Sequence, residues 1–213
     1  MTDSYRHKGL RRNLAEEIRS KGIEDERVLD AVLKVPRHYF MDTGFVKYAY
    51  KDQAFPIGCG QTISQPYTVA FQTQLLEAEK HCKVLEVGTG SGYQAAILCQ
   101  MGAKVYTIER HRDLFIKAQS LLSSMGYKAT FFYGDGYEGK PAYGPFDRIL
   151  VTAGAQEIPG KLKLQLKTGG IMVIPVGDSS CQVMTRVERI TEEEFKVTEH
   201  GRFVFVPLLK GKP

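Results

Sequence analysis

The stretch from Val84 to Tyr93 constrains the fold more than any other part of the chain. A short valine-rich run, Val84 to Val87, leads directly into the glycine-rich turn Gly88 to Gly92, and a helical pattern follows. Glycines in such a turn let the backbone bend tightly and let a ligand lie against it without meeting a Cβ atom. A strand, a glycine-rich turn and a helix in this order favour a ligand-binding edge of an α/β sheet.

The chain around this turn alternates between strand and helix patterns. Strands are predicted at residues 83–87, 104–108, 129–133, 146–152 and 171–176, and helices at 67–78, 93–101, 114–125 and 158–166. Such alternation favours βαβ units, and therefore a mostly parallel central sheet with helices on both faces. Three later segments, residues 182–187, 195–197 and 202–206, are predicted as antiparallel strands added at the sheet edge.

The first 60 residues show a different pattern. Apolar residues at Leu10, Leu14 and Ile18 recur at helical spacing, and a second amphipathic helix is predicted near residues 28–33 before Pro36. We expect one domain over residues 1–213, with a helical, substrate-side extension over about 1–60 and the α/β core over about 61–213.

Composition narrows the class of protein. The chain is 43% hydrophobic and 25% charged, as in ordinary soluble globular proteins. Its net charge of +5 is scattered, so we expect a solvated basic surface and no nucleic-acid partner. Four cysteines without a CxxC pair indicate no zinc site. Without a recognisable signal peptide, membrane span or heptad pattern, we expect a cytoplasmic monomer that does not bind membranes.

Two carboxylates follow the next two strands at the same edge of the sheet. Glu109 ends a strand about 20 residues after the turn, where an acceptor for ribose hydroxyls belongs. Asp135 and Gly136 end the third strand. The spacing from Gly88 is G-x-G-x-G, and Tyr93 stands where a dinucleotide fingerprint has its last glycine. A solvated acid that leads a helix is the alternative interpretation of Glu109.

This spacing, with Glu86 inside the first strand, resembles motif I of the S-adenosylmethionine-dependent methyltransferases. The resemblance implies a Rossmann-like methyltransferase fold, S-adenosyl-L-methionine as cofactor, and Glu86, Gly88 and Gly90 close to it. A strand carboxylate in a local salt bridge is the alternative for Glu86. The segment Val151 to Ala155 lacks the Asn/Asp-Pro-Pro pattern of amino-methylating enzymes, and no Pro-Cys nucleophile or acidic metal cluster is present. An ionised carboxylate acceptor would need only positioning, because it requires no general base.

Further segments are similar to one methyltransferase family. Val35 to Phe40, Ala49 to Asp52 and Gln61 to Tyr67 resemble the N-terminal signature of the protein-L-isoaspartate (D-aspartate) O-methyltransferases, and Phe205 to Leu208 resembles their C-terminal signature. The similarity covers nearly the whole chain, and Gln61 to Pro66 is its most diagnostic part. Cys59 departs from the aromatic residue or histidine expected between the two glycines.

The resemblance implies a reaction and a site. The free α-carboxylate of an L-isoaspartyl residue in a damaged peptide would take the methyl group, and the ester would close to a succinimide that partly hydrolyses to aspartate. Ser64 would position that carboxylate, Thr62 would lie beside the cofactor, and Glu109 would bind the ribose. Asp135 and Gly136 would meet the adenine edge.

Alternatives remain open from the residues alone. Spacing by itself makes Ser64 an N-cap of the helix that starts near Pro66, and His38 is better explained as a structural histidine than as a catalytic one. The chain as a whole could instead methylate a small molecule or RNA, or bind cofactor without catalysis. A nicotinamide dehydrogenase fits the glycine spacing least well.

Overall fold

The structure is a computed structural model and describes residues 2–213. Its strands are β1 (Phe55–Gly58), β2 (Gln61–Ile63), β3 (Lys83–Val87), β4 (Lys104–Glu109), β5 (Ala129–Tyr133), β6 (Phe146–Val151), β7 (Leu166–Gly177), β8 (Gln182–Arg189) and β9 (Phe195–Phe203). Its α-helices are α1 (Tyr5–Ser20), α2 (Glu26–Lys34), α3 (Pro66–Leu76), α4 (Tyr93–Gln100), α5 (Arg112–Ser124) and α6 (Gly160–Lys163). Short 3-10 helices lie at Arg37–Phe40, Thr43–Tyr48, Gly136–Glu138 and Pro141–Tyr143.

Seven strands form the central sheet in the order β5-β4-β3-β6-β7-β8-β9. Strands β3 to β7 pair in parallel, and β8 and β9 are antiparallel additions, which confirms the predicted sheet. The chain enters the sheet at β3, moves outward to β5, and then returns to β6 on the other side of β3. Ligands bind at the carboxyl ends of the strands where the order reverses in this way, so the topology points to the end of β3.

Each face of the sheet has its own apolar cluster. Val84 packs with the helices of one face, including α1 to α5, whereas Leu85 packs with Leu162 of α6 on the other. Successive residues of a strand point to opposite faces, so a strand covered on both faces is apolar at nearly every position. The helices thus cover both faces, although most of them lie on one. No helix in residues 2–213 combines the length and apolar character needed to cross a bilayer.

A buried arginine, Arg37, organises the N-terminal segment and contacts helix α4. Arg37 is fully buried, donates to the backbone oxygens of Ala49 (3.0 Å) and Gln53 (3.0 Å), and lies over the ring of Tyr93. Burial lowers the pKa of Arg37 to about 10, so the side chain is still a cation at neutral pH. These bonds hold the segment before the β1–β2 hairpin, and the hairpin in turn carries Thr62 into the site.

Asp52 ties the extension to the start of α3. Its carboxylate accepts from the backbone N–H of Tyr67 (2.7 Å) and from Nε2 of Gln65 (2.9 Å), and it pairs with Lys21 (2.6 Å). Hydrogen bonds to a buried carboxylate are worth more than neutral ones. The start of α3, directly after Ser64, is therefore fixed to the segment that precedes β1.

Three features of the structure differ from the sequence prediction. The helix predicted at 158–166 spans only Gly160–Lys163, because β7 begins at Leu166 and continues through an irregularity opposite β6. Residues 195–203 form the single strand β9 rather than two strands, and 204–206 lie outside it. Strands β1 and β2 form a small antiparallel hairpin that was not predicted.

Candidate active site

A cleft opens at the carboxyl ends of β3 and β4. Its wall combines the glycine-rich turn, the β1–β2 hairpin, the loop after β6 and the segment after β9. The structure brings six of the predicted site residues together there: Thr62, Ser64, Gly88, Gly90, Glu109 and Gly136.

The glycine-rich turn requires its glycines for conformational reasons. Gly88 has a φ of +99° and Gly90 a φ of +54°, in the left-handed region that side chains disfavour. A Cβ atom on Gly88 would collide with Oγ1 of Thr152. That hydroxyl donates to the backbone oxygen of Gly88 (2.6 Å), which fixes the turn against the loop after β6. Sequence reasoning missed Thr152, because a threonine at the end of a strand carries no distinctive signal.

The carboxylate of Glu109 is held in a fixed orientation at the cleft. Its Oε2 accepts from the backbone N–H of Gly90 (2.8 Å), and its Oε1 accepts from the backbone N–H of His111 (2.9 Å). The residue is only 5% exposed but lines the cleft. Each oxygen keeps acceptor capacity for a ligand hydroxyl, because a carboxylate accepts about four hydrogen bonds. This arrangement couples the glycine-rich turn to a ligand that binds Glu109.

Two predicted residues lie behind the cleft rather than in its wall. Glu86 is fully buried in β3, where its Oε2 accepts from the hydroxyl of Thr107. Burial raises the pKa of Glu86 to about 8. Asp135 accepts from the backbone N–H groups of Tyr137 (2.8 Å) and Gly211 (2.6 Å). Glu86 is thus bonded to the neighbouring strand β4, and Asp135 to the backbone of the loop after β5 and of Gly211; neither is among the residues that line the cleft.

Ser64 does not cap a helix. The N-cap of α3 is Gln65, which makes no side-chain capping bond, so the capping interpretation of Ser64 is wrong. Within residues 2–213 the hydroxyl of Ser64 has no hydrogen-bond partner, and the residue lines the cleft. Its hydroxyl is therefore available to a ligand.

A second cavity of about 500 Å³ joins the cleft at Ser64. The two share Thr62, Ser64, Thr152 and Val206. Beyond these residues the second cavity is walled by aromatic and polar side chains, which include Tyr67, Phe203 and Phe205. Two ligands could therefore meet at Ser64, one from each cavity.

The chemistry of the cleft fits S-adenosyl-L-methionine. Gln94 lines the cleft, and its Nε2 donates to Thr73 (2.9 Å). Its Oε1 is buried and has no hydrogen-bond partner among residues 2–213. A buried unpaired acceptor is costly unless a ligand satisfies it. With Glu109, the cleft offers acceptors for an ammonium group and for ribose hydroxyls.

A group of potential metal ligands lies away from this cleft, at Asp3, His7 and His38. Both oxygens of Asp3 accept from the guanidinium of Arg11 at 2.8 Å, and Nδ1 of His38 lies 2.6 Å from the hydroxyl of Tyr50. Burial is the main cause that lowers the pKa of His38 to about 4, so its ring is neutral at physiological pH. The cluster ties the start of α1 to the core, in keeping with a structural role for His38.

Comparison with known proteins identifies the family. The family model described as protein-L-isoaspartate(D-aspartate) O-methyltransferase matches residues 9–213. The chain belongs to this family. A protein-L-isoaspartate O-methyltransferase from Cytophaga hutchinsonii is 59% identical over 209 residues, which cover 98% of this chain and 95% of that protein. One from Dictyoglomus thermophilum is 45% identical over 212 residues, covering 99% and 94%.

Solved structures agree with the fold. A protein-L-isoaspartate O-methyltransferase structure superposes with a TM-score of 0.84 at 27% identity, covering 92% of this chain and 65% of that one. A protein from Plasmodium falciparum, solved with S-adenosyl-L-homocysteine, superposes with a TM-score of 0.81 at 24% identity, covering 93% and 97%. The chain is an S-adenosylmethionine-dependent enzyme that methylates isoaspartyl residues, as the sequence predicted.

Proposed function

We propose that Ser64 positions the acceptor carboxylate of an isoaspartyl peptide at the junction of the two cavities. The cofactor occupies the cleft beside the glycine-rich turn, and the peptide enters through the second cavity. The observation that carries this proposal is the place of Ser64, which lines both cavities with a free hydroxyl.

A neutral hydroxyl suits the reaction. The acceptor carboxylate is ionised at neutral pH and attacks without a general base. A cationic partner would pair with it strongly and reduce its nucleophilicity, whereas a single O–H donor orients it with a weaker bond. When bound, the cofactor supplies an electrophilic methyl group on its sulfonium. Ser64 then serves to place one carboxylate oxygen in line with that methyl group.

Seven further residues complete the proposed cofactor site: five line the cleft, and two lie behind its wall. Glu109 binds the ribose hydroxyls with the acceptor capacity that Gly90 and His111 leave free. Thr62, Gly88, Gly90 and Gly136 line the cleft through backbone and small side chains. Glu86 and Asp135 act from behind, by holding β3 and the loop after β5 in place.

The proposal extends to the setting in which the enzyme acts. We propose a monomer that works in the cytoplasm on damaged peptides and proteins, rather than on nucleic acids. Support comes from the scattered distribution of the +5 net charge.

Replacement of Ser64 tests the proposed role. We expect Ser64→Ala to lower kcat on an isoaspartyl peptide by about ten- to a hundredfold, because it removes one hydrogen bond to a charged group. Affinity for S-adenosyl-L-homocysteine, measured by calorimetry, should change by less than about twofold. Ser124→Ala is the matched control, because Ser124 is exposed on α5 and bonds only to the backbone oxygen of Leu121. Full activity of Ser64→Ala would remove Ser64 from the mechanism.

A further inference from the structure

Among the residues of 2–213 that line the second cavity, Arg202 alone is charged. It stands at the end of β9, next to Phe203, which forms part of the aromatic wall. The remaining lining residues are neutral, and Ser64 lines both this cavity and the cleft. A cation therefore sits in the wall of the space through which the peptide is proposed to enter.

The positive charge of Arg202 is not neutralised within residues 2–213. No carboxylate of this part of the chain lies within 4.0 Å of its guanidinium, and the guanidinium makes no hydrogen bond. Arg186, on the neighbouring strand β8, differs in this respect because it pairs with Glu188 (3.1 Å) and Glu77 (3.3 Å). Arg202 is thus free to bind an anion supplied from outside.

One acid behind the cavity wall, Asp52, is already paired. Asp52 lies behind Gln65 and Tyr67, both of which line the cavity and donate to it. Its side chain is 3% exposed and pairs with Lys21 at 2.6 Å. The charge of Asp52 is therefore balanced by Lys21 on the far side of the wall. Asp178, which accepts from the backbone N–H of Cys181 (3.1 Å), does not line the cavity.

A bulge in β9 determines where Arg202 lies. Arg202 pairs with Val183 and His200 pairs with Met184, so that Gly201 is an extra residue between two adjacent register positions. Gly201 has a φ of +21°. An extra residue inverts the alternation of side chains relative to the partner strand and re-aims the residues that follow it. Because of the bulge, Arg202 and His200 lie on opposite faces of the sheet. The ring of His200 bonds to Thr198.

We propose that Arg202 recognises a second carboxylate of the substrate, carried by an acidic side chain close in sequence to the isoaspartyl residue. A guanidinium binds a carboxylate through two parallel hydrogen bonds, which makes it selective for that planar group. The enzyme therefore favours damaged sites flanked by aspartate or glutamate over sites flanked by lysine. This inference rests on the proposed function, because it requires the peptide to occupy the second cavity.

The test uses isoaspartyl peptides that differ at one flanking position. Glutamate, glutamine or lysine is placed on either side of the isoaspartyl residue in peptides with amidated C-termini, and kcat and KM for methyl transfer are measured for each. We expect the wild-type enzyme to show a KM about two- to fivefold lower for the better-placed glutamate peptide than for its glutamine twin, the range typical of a partly exposed ion pair. Added salt should reduce this difference.

Charge reversal makes the test specific. We expect Arg202→Glu to invert the preference, so that the lysine peptide has a lower KM than the glutamate peptide. Arg12→Gln is the matched control, because Arg12 is an exposed arginine on α1, and it should keep the wild-type order. An unchanged ratio of the glutamate and lysine peptides in Arg202→Glu would overturn the proposal.

Two further measurements separate the possible causes of a preference for acidic peptides. A glutamine peptide with a free C-terminus tests whether the terminal carboxylate, rather than an acidic side chain, occupies the site; an advantage confined to that peptide would overturn the assignment to a side chain. Failure of the wild-type enzyme to methylate the amidated glutamine peptide would count against the proposed function itself. The two failures are therefore distinguishable.

Discussion

Glu109→Gln tests the link between the glycine-rich turn and cofactor binding. In the wild-type protein the two carboxylate oxygens accept from the N–H groups of Gly90 and His111. A glutamine has only one oxygen, so its amide nitrogen would face one of these donors. An N–H left unpaired at a buried position costs about 1–3 kcal/mol, and the remaining bond loses its charge assistance. We expect the free energy of unfolding to fall by about 2–3 kcal/mol.

Cofactor binding should fall as well. Loss of the charged acceptor for ribose hydroxyls is expected to weaken S-adenosyl-L-homocysteine binding by more than about tenfold, or about 1.4 kcal/mol. Calorimetry measures this affinity, and urea unfolding measures stability in the same preparations. Glu26→Gln is the matched control, because Glu26 is an exposed glutamate paired with Arg19 on the N-terminal helices. A Glu109→Gln protein that binds within twofold of wild type would refute the assignment of Glu109 to the ribose.

Two further predictions concern stability. Burial raises the pKa of Glu86 from 4.5 in the unfolded chain to about 8 in the folded protein. Its contribution to the free energy of unfolding is therefore fully present below pH 4.5 and is lost as the pH rises to about 8. Between pH 5 and 8 the free energy of unfolding, measured with urea, should decline less in Glu86→Gln than in the wild-type protein. The amide oxygen of the glutamine can still accept from Thr107. An equal decline in the two proteins would contradict the buried, protonated state of Glu86. Gly88→Ala should destabilise the protein by at least about 1–3 kcal/mol because of its positive φ and the collision with Thr152. Gly160→Ala is its control, because a Cβ there meets nothing within 4 Å, and a stability of Gly88→Ala equal to that of this control would contradict the strained turn.

Periodicity and local motifs were sufficient for the core of the fold. The five parallel strands and the antiparallel edge follow from the apolar runs in the sequence. Strands buried on both faces of the sheet require apolar residues at nearly every position, so their sequence pattern is easy to recognise. The predicted boundaries of helices and strands were wrong where pairing with a neighbouring strand, rather than the local sequence pattern, sets the length of an element. Pairing with β8 through residues 198–200 joins two predicted strands into β9, and the early start of β7 shortens α6. The division into an extension over 1–60 and a core over 61–213 stays a prediction.

The sequence motifs predicted part of the candidate site but not all of it. The glycine spacing and family resemblance located Thr62, Ser64, Glu109 and Gly136 in one cleft. They could not show that Glu86 and Asp135 lie outside the set of residues that line the cleft, because the position of a side chain depends on packing across the sheet. Motif reasoning also offered no signal for Gln94, whose unpaired oxygen is visible only once its surroundings are known.

Methyl transfer to matched peptides tests the central claim most directly. Labelled S-adenosyl-L-methionine is supplied with a short isoaspartyl peptide and, separately, with the same peptide containing normal aspartate. We expect base-labile label on the isoaspartyl peptide alone. Equal labelling of both peptides, or no label on either despite measured cofactor binding, would contradict the function assigned to this chain.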